Sequence, residues 1–208
     1  MDIGFVGLGI MGAPMCANIL KKHNGKVYVF NRTPAKAAPL VDAGAVLCAS
    51  AREAAEKSDV FITMVPRSED SRAVYESVLP ALGRGMLCID MSTIDPGVSR
   101  EIAAMVKDTG AEFIDAPVVK SRPAAEAGTL GIYVGGSGEA YEQALPILRY
   151  MGENIIHLGD NGCGLVMKIC HNALVSQIQN GVNETSSLAA RNGIDILTFA
   201  RAISYGGG

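Results

Sequence analysis

Residues 2–18 read DIGFVGLGIMGAPMCAN, and no other stretch restricts the fold as strongly. An apolar run at 3–6 breaks into Gly7-x-Gly9-x-x-Gly12 and then into apolar residues at helical spacing. That order is the strand, tight turn and helix start of a dinucleotide-binding unit. Gly7 admits the turn, Gly9 lets backbone approach a pyrophosphate with no Cβ in the way, and Gly12 lets the helix lie close on the strand. The pyrophosphate then rests on N–H groups at the helix N-terminus. In a chain of 208 residues with 24 glycines, a bare GxGxxG is weak. The strand pattern before it, and a second one at 26–30 with βαβ spacing, give it weight. The cofactor-binding candidates here are Gly7, Leu8, Gly9, Ile10, Met11 and Gly12.

The first helix is expected over 11–23. The second strand ends in Asn31-Arg32-Thr33-Pro34, where an NAD-selective site places an acid on the ribose 2′-hydroxyl. There is none. Asn31, Arg32 and Thr33 instead offer a guanidinium and donors that suit a 2′-phosphate, so the expected cofactor is NADP, with NAD possible. The plainer reading leaves Arg32 in solvent and has Thr33 cap a helix beginning at Pro34.

Strand and helix patterns then alternate: 46–48 and 51–57, 60–65 and 71–79, 86–90 and 98–109. Such alternation specifies a parallel sheet with helices on both faces, and ligands collect at the strands' carboxyl ends. Those ends carry Met64, Val65 and Pro66, and then Ser92 and Thr93, which are candidates to line the nicotinamide half. Ser92 and Thr93 also read as an N-cap for the helix after Pro96. Residues 112–134 are strand-like at both ends, and a helix at 139–151 with a strand at 155–158 extends the sheet. Residues 163–192 contain no proline and repeat apolar positions at helical spacing, predicting one helix of about 45 Å. Another helix starts near Asp195. The expected class is α/β: a Rossmann-like, doubly wound, mostly parallel sheet at 1–160, a long interdomain helix at 161–193, and the start of an all-α domain at 194–208.

A net charge of −3 with interspersed signs argues against a nucleic-acid partner, and no segment has the length and apolarity of a membrane span. Five scattered cysteines without a CxxC pair read as small buried hydrophobes of a reducing cytoplasm, with no metal site.

Lys168 and Asn172 are four apart near the start of the long helix, among apolar neighbours. A lysine held against apolar surroundings can donate the proton to a carbonyl oxygen that receives hydride, and an asparagine one turn later can orient it or bind substrate. By spacing alone, such a pair is more often a wet helix face.

The sequence resembles the β-hydroxyacid dehydrogenases, the family of 3-hydroxyisobutyrate dehydrogenase, tartronate semialdehyde reductase and the glyoxylate/succinic semialdehyde reductases. The resemblance rests on GFVGLGIMGAPMCANI at 4–19, Asn31-Arg32-Thr33, Asp90-Met91-Ser92-Thr93, Asp115-Ala116-Pro117-Val118 with Gly128-Thr129-Leu130, and Gly164-x-x-x-Lys168-x-x-x-Asn172. It implies an oxidoreductase that interconverts a short acidic semialdehyde or 2-oxo acid with its hydroxyacid. Lys168 is then the catalytic acid/base, Asn172 and Ser92 bind substrate, Thr93 lines the cofactor, and Arg32 with Thr33 marks the NADP-type members. The implied partners are a small acidic substrate and further copies in a homodimer or homotetramer. It also implies that most of the helical domain is missing, leaving Leu174, Ile178 and Leu188 without their usual cover.

Two departures from the family pattern matter. Where the family has Ser-Gly-Gly to hold the substrate carboxylate, this chain has Val119, Lys120 and Ser121, followed by Arg122. His171 stands where asparagine is common. Lys120 and Ser121 become substrate-binding candidates, and a basic clamp suits a strongly acidic group, as in the related sulfolactaldehyde reductases. Lys120 and Arg122 facing solvent is the plainer alternative, and a non-catalytic NADP-binding protein on the same fold is the competing class of function.

Overall fold

The computed structural model describes residues 1–206; the last two residues of the expected all-α segment lie outside the described residues. The chain forms two compact units, residues 1–168 and residues from 169 onward.

In the first unit, β1 (Ile3–Val6) leads to α1 (Gly12–Lys22) and β2 (Val27–Phe30). After a 3₁₀ turn at Pro34–Ala37 come α2 (Ala38–Asp42), β3 (Val46–Leu47), α3 (Ala51–Glu56), β4 (Val60–Thr63), α4 (Ser68–Val78), β5 (Leu87–Asp90), α5 (Pro96–Asp108) and β6 (Glu112–Asp115). These six strands form a parallel sheet in the order β3-β2-β1-β4-β5-β6. The order reverses direction at β1, which places a ligand crevice at the carboxyl ends of β1 and β4.

The strands are apolar on both faces because helices cover both. Phe5, Val29, Ile62 and Ile89 point to a cluster with Met15, Cys16 and Ile19 of α1. Val6, Phe61, Cys88 and Phe113 point to the other, with Ala54 of α3, Tyr75 of α4 and Ile102 of α5. Tyr75 packs edge-on against Phe61 and Phe113 at 6.0 and 5.3 Å between ring centroids, the preferred arrangement for aromatic pairs.

The expected extension of this sheet past residue 115 does not occur. Pro117 has no N–H to continue the ladder. The chain instead forms β7 (Val118–Val119), the short helix α6 (Arg122–Ala127), β8 (Leu130–Val134), α7 (Gly138–Leu148) and β9 (Gly152–His157). A separate three-stranded sheet results, β7-β8-β9, with β8 antiparallel to β7 and parallel to β9. A bridge between Asp115 and Gly135 links the end of β6 to the end of β8.

The capping expectations also change. α5 is capped by Asp95, whose Oδ1 accepts from the Gly97 and Val98 N–H groups, so Ser92 and Thr93 are not its caps. Thr33 stands at the head of the 3₁₀ turn with no side-chain cap bond. Cys16, Cys48 and Cys88 are buried as expected, and burial pushes the Cys16 thiol up to about 12. Cys163 is half-buried and Cys170 exposed, because the surface of the long helix rather than the sheet core holds them.

The long helix, α8, runs Cys163–Arg191. In the second unit it is followed by α9 (Ile196–Ile203), capped by Asp195 on the N–H groups of Leu197 and Thr198. Leu174, Ile178 and Leu188 are exposed. Among the described residues no helix is long and apolar enough to cross a membrane.

Candidate functional site

Three glycines shape the loop between β1 and α1. Gly7 has φ +98°, and a Cβ there would lie 2.2 Å from the Met64 carbonyl oxygen. A Cβ on Gly12 would lie 1.9 Å from the Gly7 carbonyl oxygen. Both positions are closed to any side chain. Gly9 is the opposite case, with nothing within 4 Å of its Cβ position. That open space over the start of α1, which has no side-chain cap at Met11, fits a pyrophosphate on the helix N-terminus.

Asn31 secures the loop. Its Oδ1 accepts from the Leu8 N–H at 2.9 Å and its Nδ2 donates to the Thr33 carbonyl at 2.9 Å. The amide expected to meet a phosphate therefore fastens β2 to the glycine turn.

The cavity outside these strand ends measures about 900 Å³. Its walls include Gly7, Gly9, Ile10, Met11 and Gly12, then Asn31, Arg32 and Thr33, then Met64, Val65 and Pro66, all expected from sequence. Leu8 is buried beneath the loop and does not line it. Lys36, Arg52 and Asp70 also line it, and the sequence reading missed them. Asp70 sits in the first turn of α4, and its Oδ1 accepts from Arg32 Nη1 at 2.9 Å. The signal was its position just past β4, in a turn that faces this crevice in any doubly wound sheet.

Behind the cavity lies a buried polar network. Asp90, at the end of β5, accepts from Thr63 Oγ1 at 2.9 Å, from Ser71 Oγ at 2.5 Å and from the Ser92 N–H at 3.0 Å. Ser92 Oγ in turn accepts from the Val65 N–H at 2.9 Å. Ser92 is buried and holds the cavity wall without lining it, while Thr93 is exposed and outside the lining.

Asp115 pairs in register with Asp90 on the neighbouring strand. Its carboxylate accepts from the Gly162 N–H at 2.6 Å and the Leu165 N–H at 3.0 Å, which anchors the start of α8. Gly164 allows that close approach: a Cβ there would meet the Tyr133 carbonyl oxygen at 2.5 Å and Asp115 Oδ2 at 2.8 Å. Burial raises the Asp115 carboxyl to about 6 against the opposing pull of those N–H groups, and Asp90 adds to the rise. Lys168, one turn beyond Leu165, is half-buried, and burial lowers its ammonium from the ordinary value of 10.5.

The raised Asp115 value has a sign that can be tested. Between the ordinary 3.8 and about 6 the folded chain binds a proton the unfolded chain has released. Stability contributed by this group is full below the ordinary value and is lost as pH rises through about 6, by roughly 3 kcal/mol. In denaturant unfolding, the wild type is expected to lose stability relative to Asp115→Asn by about that amount from about pH 4 to about pH 7. A pH-independent difference would contradict it.

The loop after β7 holds the remaining candidates. Lys120 has φ +76°, the left-handed region, in the place where the resembled family has a glycine. Its Nζ donates to the Thr129 carbonyl at 2.6 Å. Arg122 Nε pairs with Glu126 one turn along α6 at 2.7 Å. Ser121 precedes α6, exposed and making no side-chain cap bond. Both expected cations thus have protein partners. Asn18 of α1, buried, donates from Nδ2 to the Ala125 carbonyl at 2.7 Å and ties α6 to the cofactor-side helix. In the second unit Asn172 lines a shallow polar hollow on α8 with Ser176, Gln179 and Asn183. Among the described residues no cluster of metal-ligating side chains is found.

Comparison with known proteins bears on the fold and the family. Residues 2–159 match the NAD binding domain of 6-phosphogluconate dehydrogenase. The chain is 38% identical to a 3-hydroxyisobutyrate dehydrogenase of Pseudomonas aeruginosa over 210 aligned residues, covering 100% of this chain and 70% of that protein. An NAD-dependent L-serine dehydrogenase of the same organism is equally similar, at 38% with the same coverage. A solved structure of Mycobacterium tuberculosis 3-hydroxyisobutyrate dehydrogenase with L-serine superposes at a TM-score of 0.95 with 36% identity, over 100% of this chain and 71% of that one.

Proposed function

Since the chain belongs to the β-hydroxyacid dehydrogenase family of NAD(P)-dependent oxidoreductases, we propose that it interconverts a short acidic semialdehyde, or 2-oxo acid, with the corresponding hydroxyacid, preferring NADP. The observation that carries the reaction class is Lys168: half-buried, lowered by that burial, and on a helix whose first turn is fixed by Asp115.

The glycine loop, Met64, Val65 and Pro66 hold the dinucleotide, and Thr93 flanks its nicotinamide end. When bound, the nicotinamide supplies or accepts the hydride at the substrate carbon. Lys168 gives a proton to the carbonyl oxygen in reduction and takes it from the hydroxyl in oxidation; a lowered ammonium does both more readily near neutral pH. Asn172 positions the reacting end of the substrate. Ser92 acts through Val65, and the loop carrying Lys120 and Ser121 takes the distal anion, Lys120 exchanging the Thr129 carbonyl for it. The residue ranges 1–160, 161–193 and 194–208 serve as dinucleotide domain, connecting helix and helical segment. A homodimer or homotetramer in the cytoplasm is the accompanying expectation, checked by sedimentation of the purified protein.

A panel of 3-hydroxyisobutyrate, L-serine, glyoxylate, succinic semialdehyde, methylmalonate semialdehyde, tartronate semialdehyde and sulfolactaldehyde, each with NADP(H) and NAD(H), tests the substrate class. Turnover of none of them would overturn it. Fastest turnover of sulfolactaldehyde would favour the basic-clamp reading of the 120–122 loop, in which Arg122 leaves Glu126 as Lys120 leaves the Thr129 carbonyl.

The preference for NADP rests on Arg32, whose charge-assisted contact to a 2′-phosphate is worth roughly 1.5 to 3 kcal/mol, or about 10- to 150-fold in affinity. Arg32→Asp is expected to reverse the NADPH:NADH order of dissociation constants. Equal constants for the two cofactors in the unmutated chain would contradict it.

A further inference from the structure

The end of β2 lacks an acid, yet the cavity contains one. Asp70 reaches it from α4, 38 residues further along the chain than Arg32, and its Oδ1 accepts from Arg32 Nη1 at 2.9 Å. The two partners are unequally held: the Arg32 side chain is 76% exposed and that of Asp70 only 19%. Asp70 is therefore the fixed member, seated in the cavity wall on a helix, and Arg32 is the arm that can move. An ion pair this open to water is weak and gives way to a stronger partner. A phosphate monoester is such a partner, carrying up to two charges and three acceptor oxygens.

We infer that Asp70 is a specificity-determining residue of the cofactor cavity, which narrows the preference for a 2′-phosphorylated dinucleotide by competing for the Arg32 guanidinium. This rests on the reading that Arg32 meets the 2′-position. With a 2′-hydroxyl, the ion pair stays closed and the carboxylate offers an acceptor to the ribose, replacing from α4 the acid that β2 does not carry. With a 2′-phosphate, the guanidinium turns its donors to the phosphate and leaves a carboxylate beside a second anion. That repulsion weakens the phosphorylated cofactor alone. Lys36 and Arg52 also line the cavity and remain as cations in either case, although Arg52 Nε is already paired with Glu56 at 2.8 Å.

The test is a fluorescence titration of NADPH and NADH against the full chain, Asp70→Asn, Arg32→Gln and the double variant. Asp70→Asn keeps the shape of the side chain and removes only its charge. It is expected to tighten NADPH by roughly 5-fold, the size of one like-charge contact at a wet surface, and to leave NADH unchanged or weaker. In the Arg32→Gln background the gain is expected to shrink. If Arg32→Gln lowers the NADPH:NADH preference but Asp70→Asn leaves it unchanged or lowers it, the role of Asp70 is overturned and that of Arg32 stands. If Arg32→Gln leaves the preference unchanged, both fall. Denaturant unfolding of Asp70→Asn beside the wild type shows that the variant is folded.

Discussion

Replacing Gly12 by alanine is expected to abolish dinucleotide binding and to destabilise the first unit. The new Cβ would stand 1.9 Å from the Gly7 carbonyl oxygen and 3.1 Å from its carbon, so backbone must move: either the glycine turn opens or α1 lifts off β1. Overpacking of this kind costs roughly 1–3 kcal/mol of stability. The displaced N–H groups lose the pyrophosphate, and affinity for either cofactor is expected to fall by at least about 100-fold, a change of roughly 2.7 kcal/mol. Gly9→Ala separates the two effects. Nothing lies within 4 Å of its Cβ position, so stability is expected to change by less than about 0.5 kcal/mol. Cofactor binding is nevertheless expected to collapse, since that Cβ occupies the space reserved for the pyrophosphate. Denaturant unfolding and cofactor titration of both variants check this; a Gly9→Ala chain that binds NADPH at full strength would show that the phosphates do not sit on this loop.

Lys168→Ala is expected to lower turnover by roughly 10²- to 10⁴-fold, the range for loss of a positioned proton donor, while both cofactor dissociation constants stay within about 2-fold, an energy change of under about 0.5 kcal/mol. Hydroxyacid oxidation by the wild type needs the neutral amine, so kcat is expected to rise with pH and level off below the ordinary lysine value of 10.5, because burial lowers Lys168. In Lys168→Ala that rising limb disappears. Unchanged turnover in this variant would remove Lys168 from the reaction.

The parts legible in the sequence were those that backbone geometry dictates locally. Gly7, Gly9 and Gly12 announce a turn and a close approach by their spacing, and the alternation from 46 to 109 specifies a parallel sheet, which the structure shows. The long helix ended within one residue of expectation because nothing between 163 and 191 interrupts it. The parts that were hidden depend on pairings across the chain. Asp115 was visible only as a motif residue; its partners at Gly162 and Leu165 lie 47 and 50 residues away. The clamp from Asn18 to Ala125 spans 107 residues. β9 reads as a further strand of the main sheet, and only the break at Pro117 shows that it pairs elsewhere. The absence of glycine at 120 was legible, whereas the left-handed backbone adopted there by a lysine tied to Thr129 was not.

Hydride transfer itself is the most direct test of the proposed reaction. Reduced nicotinamide is followed by its absorbance while the purified chain is offered NADP with short 3-hydroxyacids, and NADPH with the matching semialdehydes, with Lys168→Ala run in parallel. The expected result is cofactor- and substrate-dependent turnover for at least one pair, faster with NADP(H) than with NAD(H), and lost in the variant. Tight cofactor binding without hydride transfer to or from any member of the panel would contradict it.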